Sequence, residues 1–171
     1  IDAIPAEHFP GILKVARLGY DGKGQQRVTS QGDTRDAFKR FNSEPCVLEQ
    51  MMSFDSEISV VLARDENGTV ECFSATQNYH RNGILDYAIT PDLDAPGSLA
   101  EEAQRIAAEV AHRLNYIGTL AVEFFIVKGK LLVNEIAPRP HNSGHHTLDS
   151  CVTRQFEQQV RPPCGLPLAL S

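Results

Sequence analysis

Short apolar runs separated by turn residues dominate the chain, and their spacing predicts a strand-rich fold carrying a few amphipathic helices. Residues 11–18 read as a strand, the glycine-rich segment 19–25 as a loop, and 26–28 as a second short strand. Residues 33–41 open with Asp33 as a capping residue and space Ala37, Phe38 and Phe41 at helical intervals; Pro45 then precedes a strand over 46–52. These elements predict a small α+β unit over 1–53. Further on, 57–64 alternates, Asp65-Glu-Asn-Gly68 signals a turn, 69–76 is a partner strand and 83–90 another, so a meander is expected. Between 98 and 114, Leu99, Ala103, Ile106, Ala107, Val110 and Leu114 recur at three- and four-residue steps, the mark of one helix packed on the sheet. Residues 119–127 and 131–137 are two apolar runs joined by Lys128-Gly-Lys130, and a last helix is expected over 149–161, ended by Pro162-Pro163. The class is α+β, with a larger antiparallel sheet and packed helices over 54–171.

Composition narrows the function. The 171 residues are 42% hydrophobic and 22% charged, enough for a core that needs no disulfide staples. A net charge of −6 with no basic run argues against nucleic acid as a partner. No apolar stretch approaches the ~20 residues that span a bilayer, so no membrane partner is expected. Cys46, Cys72, Cys151 and Cys164 are scattered without a C-x-x-C pair, which fits reduced structural thiols and a cytoplasmic location. The chain begins without Met, and a piece of a longer protein is expected.

Two glutamates carry the strongest chemical signal. Glu123 and Glu135 each interrupt an apolar strand, and they lie symmetrically about Gly129. If Lys128-Gly-Lys130 is a three-residue loop, the two are direct cross-strand neighbours with β-carbons roughly 4.5–5.5 Å apart, where like charges destabilise a sheet. A hard divalent cation would reverse that sign, and Asn134 could add a neutral oxygen. A two-residue loop would shift the register and leave both carboxylates on a solvated edge.

Lys14, between Leu13 and Val15, calls for an anion. The loop after it holds Gly19, Gly22 and Gly24 but lacks the G-x-x-x-x-G-K-[ST] string, so it is either a flap over nucleotide phosphates or simply a turn. His141-Asn-Ser-Gly-His145-His146 has prolines before it and a glycine within it, which argues against a helical metal tract. It reads as a polar loop offering Arg139, Asn142 and Ser143 to an anion, or as a solvated surface loop.

The strings Ile12-Leu-Lys-Val-Ala-Arg-Leu-Gly-Tyr-Asp-Gly-Lys-Gly-Gln25, Val47-Leu-Glu-Gln50, Asn78-Tyr-His-Arg-Asn-Gly-Ile-Leu85 and Val133-Asn-Glu-Ile-Ala-Pro-Arg-Pro-His-Asn-Ser-Gly-His145 closely resemble the 5-(carboxyamino)imidazole ribonucleotide synthetases, a family of ATP-grasp ligases. The resemblance covers nearly the whole chain. It implies an ATP-grasp fold in which 1–53 is a partial lid subdomain and 54–171 the core subdomain, with an amino-terminal and a carboxy-terminal domain missing. It implies ATP and Mg2+ as cofactors, with 5-aminoimidazole ribonucleotide and bicarbonate as substrates joined through carboxyphosphate. A homodimer is possible for the full-length enzyme.

Roles follow residue by residue. By resemblance, Lys14 contacts ATP phosphate and Gly19, Gly22, Gly24 and Gln25 belong to the lid loop. Glu49, Gln50, Met51 and Met52 form the hinge whose backbone reads adenine, Glu57 holds the ribose, and His80 lies in the nucleotide pocket. Glu123, Asn134 and Glu135 supply the metal and phosphate site, with the two glutamates as metal ligands. Tyr20, Asp21, Lys23, Arg139, His141, Asn142 and Ser143 face bicarbonate, carboxyphosphate and the ribonucleotide. The competing reading is a catalytically silent ATP-binding or interaction module that keeps the scaffold.

Overall fold

The computed structural model describes residues 1–17, 23–81, 84–90 and 97–169, and the chain divides into two units, Ile1–Ser53 with Asn82–Ile84, and Phe54–Arg81 with Leu85–Ser171. The expected loop residues Gly19, Tyr20, Asp21 and Gly22, and Gly83 of the expected strand, lie outside the described residues.

In the first unit β1 (Gly11–Val15) lies between β2 (Gln25–Val28) and β3 (Cys46–Gln50), antiparallel to both. Leu13, Val28 and Ala37 form its core, with Phe38, Phe41 and Leu48 packed against them. Helix α1 (Gln31–Arg40) begins earlier than the sequence suggests. Ser30 is its cap, accepting the Asp33 N–H, while Asp33 sits in the first turn and accepts the Thr29 N–H at 2.9 Å. The Ser30 hydroxyl thus caps the helix, and the Asp33 carboxylate ties its first turn to the residue before the cap.

The second unit is a sheet in the order β7 (Ile84–Ile89), β6 (Thr76–Arg81), β4 (Ser56–Arg64), β8 (Gly118–Val127), β9 (Lys130–Ala137), with β5 (Val70–Cys72) also pairing β4. The expected partner strand at 69–76 is thus interrupted around Phe73–Ala75. Strand β4 does not alternate between core and solvent: from Ile58 to Arg64 every residue is buried, because both faces of the sheet are covered. On one face α2 (Gly97–Arg113) sets Leu99, Ala103, Ala107 and Ala111 against Ile58, Val60, Leu62, Leu120, Val122 and Phe124. The four-residue spacing of three alanines makes this the closest-packing stripe of the helix. Leu114, expected in that stripe, is 56% exposed, since the helix ends at Arg113 and Asn115 takes a left-handed φ of 47°.

The opposite face carries Val61, Phe73, Ala121 and Ala137 at one end and polar side chains beyond them. The helix expected over 149–161 is broken here. Cys151 and Arg154 are extended, leaving α3 (Thr147–Ser150) and α4 (Gln155–Val160). In α4 the usual polarity is inverted, with Gln155 and Gln158 fully buried while Phe156 and Val160 are 41% and 58% exposed.

The hairpin between β8 and β9 is closed by two residues, Lys128 and Gly129, both left-handed at φ 50° and 73°. This is the backbone of a type I′ turn, which favours Asn-Gly. Lys pays a steric penalty there that Asn largely avoids. Lys128→Asn should therefore stabilise the chain by about 0.5–1 kcal/mol, and Lys128→Val should destabilise it by a similar amount. Chemical denaturation measures both; equal midpoints for the three proteins would contradict this reading of the turn.

Candidate functional site

The two-residue turn sets Val127 opposite Lys130 and Phe124 opposite Val133, a register that would place Glu123 opposite Asn134. A bulge between Glu123 and Phe124 corrects it, because Asn134 takes the extra place and Glu123 faces Glu135 directly. The carboxylates are thus cross-strand neighbours as the sequence symmetry suggests, but the three-residue loop assumed for it is not what brings them together. The row continues across the sheet through Ser59 and Thr76, and the next row holds Glu57, Asn78 and Phe125. Ser59 and Thr76 hydroxyls lie 3.1 Å apart, and Ser59 Oγ donates to Asn78 Oδ1 at 3.3 Å.

Electrostatics single out Glu123. Its side chain is 12% exposed, and burial pushes its carboxyl up to about 7, with the charges of Glu135 and Glu57 acting in the same direction and those of His80 and Arg139 opposing them. Glu135 is exposed. Glu57 is raised by burial and meets His80, whose Nδ1 lies 3.1 Å from Glu57 Oε2. Beside them Phe54 and Phe125 stack with ring centroids 4.4 Å apart. Asn78 Nδ2 is buried and has no hydrogen-bond partner among the described residues.

After β9 the chain turns through Arg139, which is exposed, to His141. His141 Nε2 stands 3.5 Å from Glu123 Oε1, while Nδ1 accepts the Ser143 N–H at 3.3 Å and lies 2.9 Å from Ser143 Oγ. An N–H can only donate, so Nδ1 is unprotonated and the Nε2–H points at Glu123. Burial, joined by the charges of Arg139, His145 and His80, lowers this imidazole to about 4. His141 is therefore neutral near pH 7, and its approach to Glu123 is a long polar contact rather than an ion pair. Asn142 is exposed, whereas Ser143 is 1% exposed and turned to His141. Ser143 thus orients the imidazole and does not present its hydroxyl to an external anion.

In the first unit, Lys14 is half-buried and its Nζ lies 2.5 Å from Glu49 Oε2. The anion that Lys14 calls for is thus supplied by Glu49, which the sequence reading expected to act through its backbone. Gly24 has φ 74° and its carbonyl accepts the Val15 N–H at 2.8 Å; Lys23 and Gln25 are exposed. Within the hinge segment the Met51 N–H is taken by the Pro10 carbonyl, and the Gln50 amide donates to the Glu7 carbonyl, while Met51 and Met52 side chains are 43% and 37% exposed.

Sequence reasoning missed Ser59, Thr76, Asn78 and Gln155. A serine inside the apolar run of β4 was the available signal for the first, and the Gln155-Phe-Glu-Gln-Gln159 pattern for the last. Among the described residues no three His, Cys, Asp or Glu gather as a self-sufficient metal site. The opposed pair with its oxygen donors suits a hard cation that takes its other ligands from phosphate or water. None of the four cysteines forms a disulfide, and burial pushes Cys72 up to about 11. No described helix is long and apolar enough to cross a membrane.

Comparison with known proteins gives this arrangement a lineage. The model of the ATP-grasp domain matches residues 2–156. An N5-carboxyaminoimidazole ribonucleotide synthase of Bacillus subtilis is 44% identical over 167 residues, an alignment covering 97% of this chain and 44% of the relative. The crystal structure of an ADP complex of an N5-carboxyaminoimidazole ribonucleotide synthetase superposes with a TM-score of 0.85 at 42% identity, covering 95% of this chain and 43% of that one. A synthase from Aspergillus clavatus, solved with ADP and 5-aminoimidazole ribonucleotide, gives 0.83 at 25% identity over 94% of this chain and 42% of its own. The chain spans less than half the length of the curated relatives it matches. With the family model spanning both units and the strand order that presents Glu123 and Glu135, the chain belongs to the ATP-grasp family.

Proposed function

We propose that the chain is the nucleotide- and metal-binding core of a ligase that uses ATP and bicarbonate to carboxylate the amino group of 5-aminoimidazole ribonucleotide, releasing ADP and phosphate. The observation that carries this is the directly opposed Glu123–Glu135 pair with Asn134 at the bulge, inside a chain 44% identical to a synthase of that name. On this reading 1–53 is the lid subdomain and 54–171 the core, Mg2+ is held by Glu123 and Glu135, and the reaction takes place in the cytoplasm.

On this reading each group has its part. Lys14 leaves Glu49 to neutralise phosphate charge, and the lid residues Gly19, Tyr20, Asp21, Gly22, Lys23, Gly24 and Gln25 cover it. Glu49, Gln50, Met51 and Met52 bound the adenine, and the Glu57–His80 pair takes the ribose hydroxyls and the pocket wall. Glu123 and Glu135 would hold magnesium, which would supply the positive charge that two opposed carboxylates lack and offset the charge of the phosphates. Attack of a bicarbonate oxygen on the γ-phosphate needs alignment and charge neutralisation more than covalent help. Arg139 and Asn142 offer donors to the bicarbonate and to the carboxyphosphate it forms. His141, neutral with its Nε2–H toward Glu123, is a donor that brings no added charge. The amine of the ribonucleotide then attacks the carbonyl carbon of carboxyphosphate and phosphate leaves.

Two expectations test this. With its folded-state carboxyl raised to about 7, Glu123 favours folding while protonated and loses that contribution as pH rises from about 4.5 to 7. At pH 8 without magnesium, Glu123→Gln should therefore melt at or above the wild-type temperature. The same variant, and Glu135→Gln, should weaken Mg-ATP binding by roughly 10- to 100-fold, read as the lost thermal shift. Unchanged nucleotide binding in both variants would remove the metal assignment.

The second expectation concerns turnover. Purified 1–171 should release phosphate from ATP in a bicarbonate-dependent way that 5-aminoimidazole ribonucleotide does not stimulate, since the relatives build on more than twice this length and lost contacts to remote parts of a substrate lower the chemical rate. Stimulation with product formation would show the acceptor site to be complete in these residues. No thermal shift with Mg-ATP and no phosphate release would leave a silent interaction module.

A further inference from the structure

The 139–145 loop is held by one buried side chain of α4. Gln155, the first residue of α4, is completely buried, and its amide spans the main chain of His141: Oε1 accepts the His141 N–H at 2.9 Å and Nε2 donates to the His141 carbonyl at 2.8 Å. Its own backbone is tied on both sides. The Gln155 N–H donates to Thr147 Oγ1 at 3.1 Å, and Thr119 Oγ1 donates to the Gln155 carbonyl at 3.0 Å. Thr147 Oγ1 in turn donates to the Gly144 carbonyl at 2.7 Å. One residue thus joins the His141 loop to β8, four positions before Glu123 on the same face.

A β-carbon on Gly144 would lie 2.6 Å from Gln155 Oε1 and 2.7 Å from its Cδ, so a side chain there would push the amide from its place. A primary amide carries both the acceptor that the His141 N–H needs and the donor that its C=O needs, whereas a leucine of similar volume would leave both His141 groups unpaired.

We infer that Gln155 is the positioning residue for His141, holding the main chain from which the imidazole, oriented by Ser143, reaches to 3.5 Å from Glu123. This rests on the proposed role of His141 beside the phosphate-transfer centre. Gln155 touches no substrate and acts through the main chain of His141, so its loss misplaces a donor while leaving the nucleotide ligands in place. A misplacement of this kind costs roughly 10- to 100-fold in rate.

The test uses the full 171-residue chain labelled with 15N-histidine. Wild type should show His141 ring nitrogens of one fixed neutral tautomer, with Nε2 protonated. Gln155→Leu should show them averaged, and its bicarbonate-dependent phosphate release should fall roughly 10- to 100-fold in kcat with the KM for ATP changed by less than about twofold. Gln155→Glu, a buried neutral acid with one donor and one acceptor, should keep the wild-type ring spectrum. Gly144→Ala, which displaces the amide without altering it, should reproduce the averaged spectrum and add nothing in a Gln155→Ala background; it serves if Gln155→Leu does not fold. A folded Gln155→Leu or Gly144→Ala with the wild-type ring spectrum overturns the inference. If wild type releases no bicarbonate-dependent phosphate, the functional reading fails instead, and the ring nitrogens still decide the role of Gln155.

Discussion

Two carboxylates held opposite each other on neighbouring strands are the constraint around which the second unit is arranged. A sheet gains nothing from such a pair, since like charges directly opposed destabilise it and burial of one adds a desolvation cost. The backbone nevertheless goes out of its way to create it. A two-residue turn sets the wrong register, and a bulge at Asn134 restores the opposition a few residues later. Glu123 responds as physics requires, with a carboxyl raised to about 7. A cost created by a dedicated backbone bulge points to a ligand that removes it, and a hard cation with phosphate oxygens is the ligand whose chemistry matches.

The rest of the unit keeps that pair rigid and its surroundings polar. Helix α2 seals one face of the sheet with leucine and alanine, so β4 and β8 are fixed from below. The other face has its buried apolar cluster at the far end, where Val61, Phe73, Ala121 and Ala137 meet, and carries polar side chains from Ser59 and Thr76 onward, with the Phe54–Phe125 stack beside them. Over it α4 presents glutamines instead of apolar side chains. Gln155 grips His141, Gln159 Oε1 accepts the Thr119 N–H at 2.7 Å, and Gln158 bonds the main chain of Ala169. Buried amides can hold irregular backbone in place because they satisfy N–H and C=O together, which apolar packing cannot do.

Much of this was legible in the sequence where a pattern has a single physical cause. The α2 stripe and the β8–β9 hairpin follow from periodicity, the two glutamates stand out as charges inside apolar strands, and the Pro-Arg-Pro-His-Asn-Ser-Gly-His string carries the family resemblance. What escaped was set by tertiary context. The bulge at Asn134 has no local signature. Leu114 counts as apolar in any periodic reading, yet a left-handed residue after the helix turns it out to solvent. The segment 149–161 has helical spacing of apolar residues, but its buried face is the glutamine face, and the chain breaks at Cys151 to deliver it. Lys14 advertises a need for an anion without saying that Glu49 meets it.

The most direct measurement is the titration of the Glu123 carboxyl carbon by NMR in the 13C-labelled chain, with and without Mg-ADP. The account predicts a midpoint near 7 in the free protein, raised by burial and by Glu135, that falls well below the ordinary carboxylate value once Mg-ADP is bound. A midpoint near 4.5 in the free protein, or one that Mg-ADP leaves unmoved, would contradict it.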